Sequence, residues 1–373
     1  MQAILLNNNL DLKREVLVII EGVENTEIPS VLNPFKEWLL DTLKYFEEKI
    51  NENLYYLNLE NTGILPEILS NTQSLTINIR ALIEQYSSPI LRYSQKDLFP
   101  LLVIDWLHKQ HDQSKKNAFA ISDGNFAIFP TVDSPIIYFL PSSSLTSIVH
   151  LPLIFHEFGH YLYSYHKLDM DNLVKDLQKH INELSAPSYR RNDIKHKNNA
   201  ERLNKIVETW YEWTQELFCD AVGLYTTGEV YLKTFSLYLR MMGRGQFILE
   251  EENLIHSSHP VSWLRIRLLV KRAEKYGLKD AVSVIEAEWE KIAGLLNLSE
   301  DYYGFYDPSF DAEIERTIDD MLTEASPIYF EDYLSVDAGD NIIKLISTAW
   351  EKYSKDHENY DEWERTIIQS YFS

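Results

Sequence analysis

The sequence predicts a mainly α-helical protein with a small β-sheet, which is an α+β fold class. Apolar residues recur at helical spacing over most of the chain, and one proline-punctuated region carries short β-prone runs. Apolar residues make up 45% of the 373 positions, and no low-complexity block or fixed-period repeat is visible, so disorder and solenoid architectures are disfavoured. A chain of this length can bury a substantial core and commonly forms about two domains.

The N-terminal third is predicted to be helical. Residues 31–50 place Phe35, Leu39 and Leu43 on one helical face, and similar patterns recur near 66–86 and 97–110.

Residues 117–144 differ from this pattern. Short β-prone runs at 126–129 and 136–140 are separated by Asp-Gly and by prolines. We expect two or three short strands, at least one at a sheet edge, because proline is poorly tolerated in a central strand.

The rest of the chain is predicted to be helical again. A helix over 147–165 has N-cap candidates in the serines at 142–144 and in Thr146. An amphipathic helix over 172–184 is followed by a polar loop at 186–199. Further helices are expected at 200–226, 229–243, 260–276, 279–296, 308–325, 340–354 and 361–371. We therefore divide the chain into a helical N-terminal region (1–115), a central core (116–276) and a helical C-terminal region (277–373).

The chain is strongly acidic, with 57 acidic and 35 basic residues and a formal charge of −22. Such a surface repels phosphate backbones and anionic lipid heads, so neither nucleic acid nor a membrane is expected as the main partner. The only locally basic stretch, residues 188–199, is short and polar, and a solvated loop is the preferred interpretation.

A cytoplasmic location is predicted from two further features. Cys219 is the single cysteine, so no disulfide can form within the chain, and this suits a reducing compartment. The first twenty residues have no basic segment followed by a long apolar one, and no run approaches the roughly 18 apolar residues of a membrane span. Cys219 itself is expected to be a small core residue.

The stretch IFHEFGHYLYS contains the pattern His-Glu-x-x-His. On a helix, His156 and His160 lie on one face and can present two imidazoles to one metal ion, while Glu157 can reach a metal-bound water without binding the metal. With 11 histidines and 57 acidic residues, a pattern His-acid-x-x-His, with either Asp or Glu as the acid, arises by chance in about one such chain in twenty. The motif therefore needs support from elsewhere in the sequence.

A catalytic zinc ion usually takes three protein ligands, so a third is required. The stretch WTQELFCDAVG offers Glu216 and Asp220, again four residues apart on a predicted helix. One of them can bind the metal while the other accepts the second ring N–H of a ligand histidine. A solvated helix face is the competing interpretation of the same two residues.

HEFGH followed by ELFCD resembles the gluzincins, the thermolysin-related metallopeptidases with a second motif E-x-x-x-D. The resemblance implies a gluzincin-like core with one zinc ion per chain. It implies His156, His160 and Glu216 as ligands, Glu157 as the general base and Asp220 as the carboxylate behind the ligands.

HPVSWLRIR resembles the H-P-x-x-x-x-R element of the subgroup that contains the CAAX prenyl endopeptidases and the bacterial heat-shock membrane protease. The stretch NAFAI (117–121) is also similar to that subgroup. The resemblance spans roughly residues 117–270 and implies that His259 lies near the substrate carbonyl and that Arg265 pairs with a carboxylate near the site. The chain departs from the subgroup in lacking membrane spans, which counts against a membrane or prenylated substrate.

The predicted function is that of a zinc-dependent endopeptidase acting on proteins or peptides, with an edge strand available to pair with an extended substrate. Two alternatives remain open: a zinc-binding pseudoenzyme, and a protein whose helical flanks dock a regulatory partner. His259 as a plain loop residue and Arg265 as a surface cation are the competing interpretations at those positions. The other histidines considered are expected to be surface or packing residues: His108, His111, His150 and His256.

Overall fold

The structure is a computed structural model that describes residues 1–59, 62–131, 134–189, 196–241, 251–255, 257–297, 302–334 and 341–370. Most of these residues are helical, and the remaining regular structure is one small mixed sheet, so the predicted class is confirmed. The chain folds into two compact units. The first comprises Met1–Lys109 and Ser114–Leu145, and the second comprises Gln110–Gln113 and Thr146–Ser373.

The first unit contains five helices and three strands among the residues described. They are α1 (Gln2–Asn25), α2 (Asn33–Asn58), α3 (Leu65–Leu82), α4 (Ser88–Leu91), α5 (Leu98–Gln110, whose last residue belongs to the second unit), β1 (Phe119–Asp123), β2 (Ala127–Phe129) and β3 (Ile136–Leu140). The predicted helical faces are correct, since Phe35, Leu39 and Leu43 of α2 are fully buried. A π-helical turn at Ile83–Ser87 joins α3 to α4.

The sheet has the strand order β1-β3-β2. β3 lies in the middle and pairs parallel with β1 and antiparallel with β2, with Tyr138 opposite both Ile121 and Ile128. Four of the five β3 residues are buried, whereas β2 is short and half open to solvent. The predicted edge strand is therefore present, since β2 pairs on only one side and is followed by Pro130.

Three polar side chains lie in the core of the three-helix bundle formed by α1, α2 and α3. Asn9 Nδ2 donates to Thr72 Oγ1 at 2.9 Å, and Asn53 Nδ2 donates to Asn9 Oδ1 at 3.2 Å. The Thr72 hydroxyl in turn donates to the carbonyl of Ile68 at 2.7 Å. We call Asn9, Asn53 and Thr72 the amide cluster.

The helices described in the second unit are α6 (Pro152–Tyr165), α7 (Lys167–Tyr189), α8 (His196–Thr227), α9 (Glu229–Met241), α10 (Glu251–Leu254), α11 (Ser262–Lys275), α12 (Lys279–Leu296), α13 (Asp311–Ala325), α14 (Phe330–Leu334), α15 (Ile342–Lys355) and α16 (Tyr360–Ser370). α8 is central, because α6, α7, α9, α11 and α13 all pack against it. At Gly159 of α6 the approach is especially close, since an added Cβ would lie 2.8 Å from the backbone α-carbon of Cys219 on α8.

Two local predictions need correction. The helix expected over 147–165 begins only at Pro152, after a 3₁₀ turn at Ile148–His150, and no serine or threonine side chain caps it. Proline fixes the first turn instead, because its φ suits a helix and its missing N–H would have no helical partner. The polar loop expected at 186–199 is shorter than predicted, since α7 runs to Tyr189 and α8 starts at His196, while 190–195 lie outside the described residues.

The two units divide the chain differently from the three regions expected from the sequence. Residues 116–145 pack with the N-terminal helices because β1 lies against α2 and α4. Residues 277–373 belong to the same unit as α6 and α8, because α13 packs against α7 and α8. Within the described ranges, no helix combines the length and the apolar character that a membrane span requires.

Candidate metal centre

Helix α6 carries the His-Glu-x-x-His motif on a face directed into the second unit. His156 and Glu157 are buried, and the side chain of His160 is 24% exposed. The two imidazole rings stand almost perpendicular, with centroids 5.1 Å apart. Buried apolar neighbours such as Ile154, Phe155 and Phe158 hold the helix in the core. The motif is therefore part of an internal site.

Helix α8 brings Glu216 against both histidines. His156 Nε2 lies 3.4 Å from Glu216 Oε2, and His160 Nε2 lies 3.5 Å from Glu216 Oε1. Two donor atoms bound to one tetrahedral zinc ion at about 2.1 Å stand about 3.4 Å apart. Each histidine nitrogen thus lies at about the spacing of two zinc ligands from one carboxylate oxygen of Glu216, and the two histidines face different oxygens.

Asp220, one turn further along α8, lies behind His156. Its Oδ1 is 3.0 Å from His156 Nδ1. An imidazole that donates Nδ1–H to a carboxylate has its Nε2 directed the other way, where it can bind a metal once its proton has left. For His156, that direction is toward Glu216, as metal binding requires.

Arg265 of α11 is buried against the two carboxylates. Its Nε and Nη2 donate to the two oxygens of Asp220, each at 2.8 Å, and Nη2 lies 3.2 Å from Glu216 Oε2. The guanidinium also lies 4.7 Å from the ring centroid of Phe235. The interpretation of Arg265 as a surface cation is therefore wrong, and its predicted pairing with a carboxylate is present.

His259 reaches the same carboxylate from the segment before α11. Its Nε2 lies 3.3 Å from Glu216 Oε1, its Nδ1 is 2.8 Å from the hydroxyl of Ser258, and its side chain is 55% exposed. Three imidazoles therefore surround Glu216, and only that of His259 is mostly open to solvent.

The other histidines have different neighbours. His108 contacts Tyr138 in the first unit, His111 accepts a hydrogen bond from the backbone of Ile328, and His150 bonds to Ser147. His256 lies outside the described residues.

Two residues of α9 that the sequence did not indicate are also part of the site. Tyr231 donates its hydroxyl to Asp220 Oδ1 at 2.9 Å, and Phe235 stacks on the His156 ring with centroids 6.2 Å apart. Neither belongs to a motif, because α9 has an ordinary amphipathic pattern. A signal was available in Gly223, four residues before the end of α8, since a glycine inside a helix often marks a close approach.

The charges of the site favour a cation between the two carboxylates. Burial works against a charged His156, but the neighbouring carboxylates of Asp220 and Glu216 outweigh it and raise the pKa of His156 to about 10. Burial likewise opposes ionisation of Glu216, yet His156 and Arg265 lower the pKa of its carboxyl group. Either a proton on His156 or a metal ion can supply the positive charge, and metal binding would release that proton.

For the other two residues of the motif, burial is the main cause of the pKa shift. It lowers the pKa of His160 to about 4, and the neighbouring His156 adds to this effect. His160 is therefore neutral near pH 7, as a ligand must be. Burial also raises the pKa of Glu157 to about 7, which brings this carboxyl group close to the range of a general base.

Glu216 retains unused coordinating capacity. Its Oε2 is buried and accepts no hydrogen bond from any described residue, although charged groups lie 3.2 and 3.4 Å away. Buried polar atoms normally have a hydrogen-bond partner, so an exception requires a reason. A metal ion held by Glu216, His156 and His160 supplies one, and the residues present fit zinc.

Cys219 offers a second possible donor set. Donor atoms of His156, His160 and Cys219 all lie within 4.8 Å of one another. Only the thiolate binds metals well, and burial together with nearby carboxylates raises the pKa of this thiol well above its usual value. Its sulfur also packs against Gly159, 3.1 Å from where a Cβ would lie. Glu216 is therefore the better third donor.

Comparison of the chain with protein-family models, with curated proteins and with solved structures found no match. The metal centre is therefore inferred from the contacts of its own side chains.

Proposed function

We propose that the protein is a zinc-dependent endopeptidase with a gluzincin-like core and one zinc ion per chain. The observation that carries this proposal is the position of Glu216, whose carboxylate oxygens lie 3.4 and 3.5 Å from the Nε2 atoms of both motif histidines. His156, His160 and Glu216 would hold the ion. Zinc in such a site supplies a water of lowered pKa and polarises a carbonyl group.

The residues around these ligands support a proton-transfer mechanism. Glu157 follows the first ligand on α6, is buried, and accepts a proton from the attacking water before returning it to the leaving amine. His259 is exposed enough to meet a substrate, and its imidazole donates a hydrogen bond to the oxyanion. Asp220 and Arg265 act through the ligands by fixing the orientation of His156 and Glu216.

The proposed substrates are proteins or peptides. A formal charge of −22 disfavours nucleic acid. We also propose a cytoplasmic location, which is supported by a single buried cysteine that needs no oxidising compartment.

The test is metal analysis of the purified chain combined with proteome-wide cleavage mapping, with Glu157→Gln as the matched control. We expect about one zinc ion per chain in both proteins and cleavage products only with the unsubstituted one, because glutamine has nearly the same shape but cannot take up the proton. Zinc binding without any cleavage would instead indicate a zinc-binding pseudoenzyme. Absence of zinc from a folded protein would overturn the proposal.

A further inference from the structure

The carboxylate of Asp220 is fully engaged by hydrogen-bond donors. Oδ2 accepts from Arg265 Nε at 2.8 Å, while Oδ1 accepts from Arg265 Nη2 at 2.8 Å and from the Tyr231 hydroxyl at 2.9 Å. His156 Nδ1 approaches the same Oδ1 to 3.0 Å. A carboxylate has about four lone-pair positions, so these donors together leave Asp220 one orientation.

Tyr231 contacts both members of the Asp220–His156 pair. Its hydroxyl oxygen lies 3.3 Å from His156 Nδ1 as well as 2.9 Å from Asp220 Oδ1. The side chain is completely buried, and its ring stacks on Phe235, which itself stacks on His156. The phenol therefore touches the hydrogen bond that sets which nitrogen of His156 faces Glu216.

Gly223 makes room for this phenol. A Cβ at position 223 would lie 2.3 Å from Cε2 of Tyr231 and 2.6 Å from its Cζ, which is far inside any tolerated contact. The ring is rigid and packed on its other face, so it could not turn aside without moving its hydroxyl. The glycine is one turn beyond Asp220 on α8. Gly223 therefore leaves space for the ring of Tyr231, and Asp220 accepts its hydroxyl.

We infer that Tyr231 is a positioning residue of the metal centre, which holds Asp220 and the Nδ1–H of His156 in place so that His156 Nε2 is directed at the metal. The inference rests on the proposed zinc function and adds a residue from α9 to it. Tyr231 does not touch the metal or the substrate. Its effect is expected on the affinity for zinc rather than on the chemical step.

The test compares Tyr231→Phe with Tyr161→Phe in the full chain. Tyr161, on α6, is also completely buried and donates its hydroxyl to a backbone carbonyl at 2.9 Å, but to that of Gln113. Both variants lose one buried hydroxyl, so their melting temperatures should fall by similar amounts. Zinc affinity, measured by competition with a chelator, should fall about tenfold in Tyr231→Phe and stay within about twofold in Tyr161→Phe.

A second measurement does not depend on zinc. In metal-free protein with ¹⁵N-labelled histidine, the Nδ1–H of His156 should exchange slowly with solvent, because it is buried between Asp220 and Tyr231. We expect its resonance to be lost or strongly broadened in Tyr231→Phe and retained in Tyr161→Phe. If the unsubstituted chain binds no zinc but this difference appears, the proposed function fails, while the part of the inference that assigns Tyr231 to the orientation of His156 stands.

A third variant displaces the phenol without removing its hydroxyl. Gly223→Ala should weaken zinc binding in the same direction, whereas Gly294→Ala on α12, where an added Cβ meets nothing within 4 Å, should not. Zinc affinity in Tyr231→Phe equal to that of Tyr161→Phe, in a protein that does bind zinc, would overturn the inference while leaving the proposed function intact.

Discussion

Two buried polar clusters in the described part of the chain are built on opposite principles. The amide cluster of the first unit is neutral, its members bond to one another and to helix carbonyls, and none of its atoms is among the unpartnered buried ones found in the described chain. The cluster around Glu216 in the second unit is ionised and leaves Glu216 Oε2 without a hydrogen bond. This contrast is the one expected if the second cluster binds the metal ion that we propose and the first serves only the fold.

The largest expected effect is at the unsatisfied carboxylate. Glu216→Gln should weaken zinc binding by about 10² to 10³, since a direct ligand carries roughly a quarter of the 10–16 kcal/mol typical of a four-ligand site. The stability of the metal-free protein should change by only about 1 kcal/mol, because Asp220 still neutralises Arg265. Chelator competition and thermal unfolding measure both quantities. A large stability loss with unchanged zinc affinity would make this cluster structural after all.

The next largest effect is expected for His259→Ala, if the imidazole donates a hydrogen bond to the oxyanion. We expect kcat to fall by about 10² to 10³ with zinc content preserved, as is typical for one oxyanion donor. His256→Ala, measured in parallel, serves as the comparison. A loss of zinc in His259→Ala would identify this histidine as a ligand, and an unchanged rate would identify it as a loop residue.

A substitution of Asp220 tests whether its hydrogen bonds to His156 and Arg265 help the ligands to bind zinc. Asp220→Asn should weaken zinc binding about 10- to 100-fold, which is less than the loss of a ligand. It should also lower the free energy of unfolding by about 3–5 kcal/mol, because Arg265 stays buried without the carboxylate that accepts both of its hydrogen bonds and keeps only the longer contact with Glu216. Zinc titration and denaturant unfolding of the same preparation check the two effects together. Unchanged zinc affinity would contradict the role given to Asp220.

The amide cluster should show the reverse behaviour. Thr72→Val keeps the shape of the side chain but takes an acceptor from the Asn9 amide, at a cost of about 1–3 kcal/mol in the free energy of unfolding. Zinc content and activity should not change. If stability is unaffected, or if zinc is lost, the contrast between the two clusters does not hold.

The smallest effect is expected at Cys219. Cys219→Ala should leave zinc affinity and activity largely intact, because Glu216 is the better third donor and the thiol is held protonated by burial. The same chelator competition checks this substitution. A fall in zinc affinity comparable to that of Glu216→Gln would show that the second donor set is the one in use.

Much of the fold and of the candidate site could be predicted from the sequence, because the features concerned are periodic or local. Helix α12 has the bounds that its apolar spacing predicts, and the resemblance of the two motifs to the gluzincins correctly indicated that Glu216 lies beside His156 and His160. The pairing of the strands could not be predicted in this way. The parallel pairing of β1 with β3 depends on contacts between distant segments and leaves no local pattern.

The residues that the sequence did not indicate at the site share a physical reason. Tyr231 and Phe235 are aromatic residues on an amphipathic helix, where such residues usually serve packing alone. Only the fold shows that one places its hydroxyl on Asp220 and the other its ring on His156. The start of α6 was misplaced because a proline at the first turn replaced a capping side chain.

The close approach at Gly159 has a consequence for the choice of ion. With no side chain between α6 and α8 at this point, the backbones are in contact and the distance from the histidine pair to Glu216 has little room to change. Calcium requires bonds of about 2.3–2.6 Å and six to eight oxygen ligands, so it would have to force the helices apart. For the zinc ion that we propose, we therefore expect Gly159 to help exclude larger ions, although it has no side chain that could bind one.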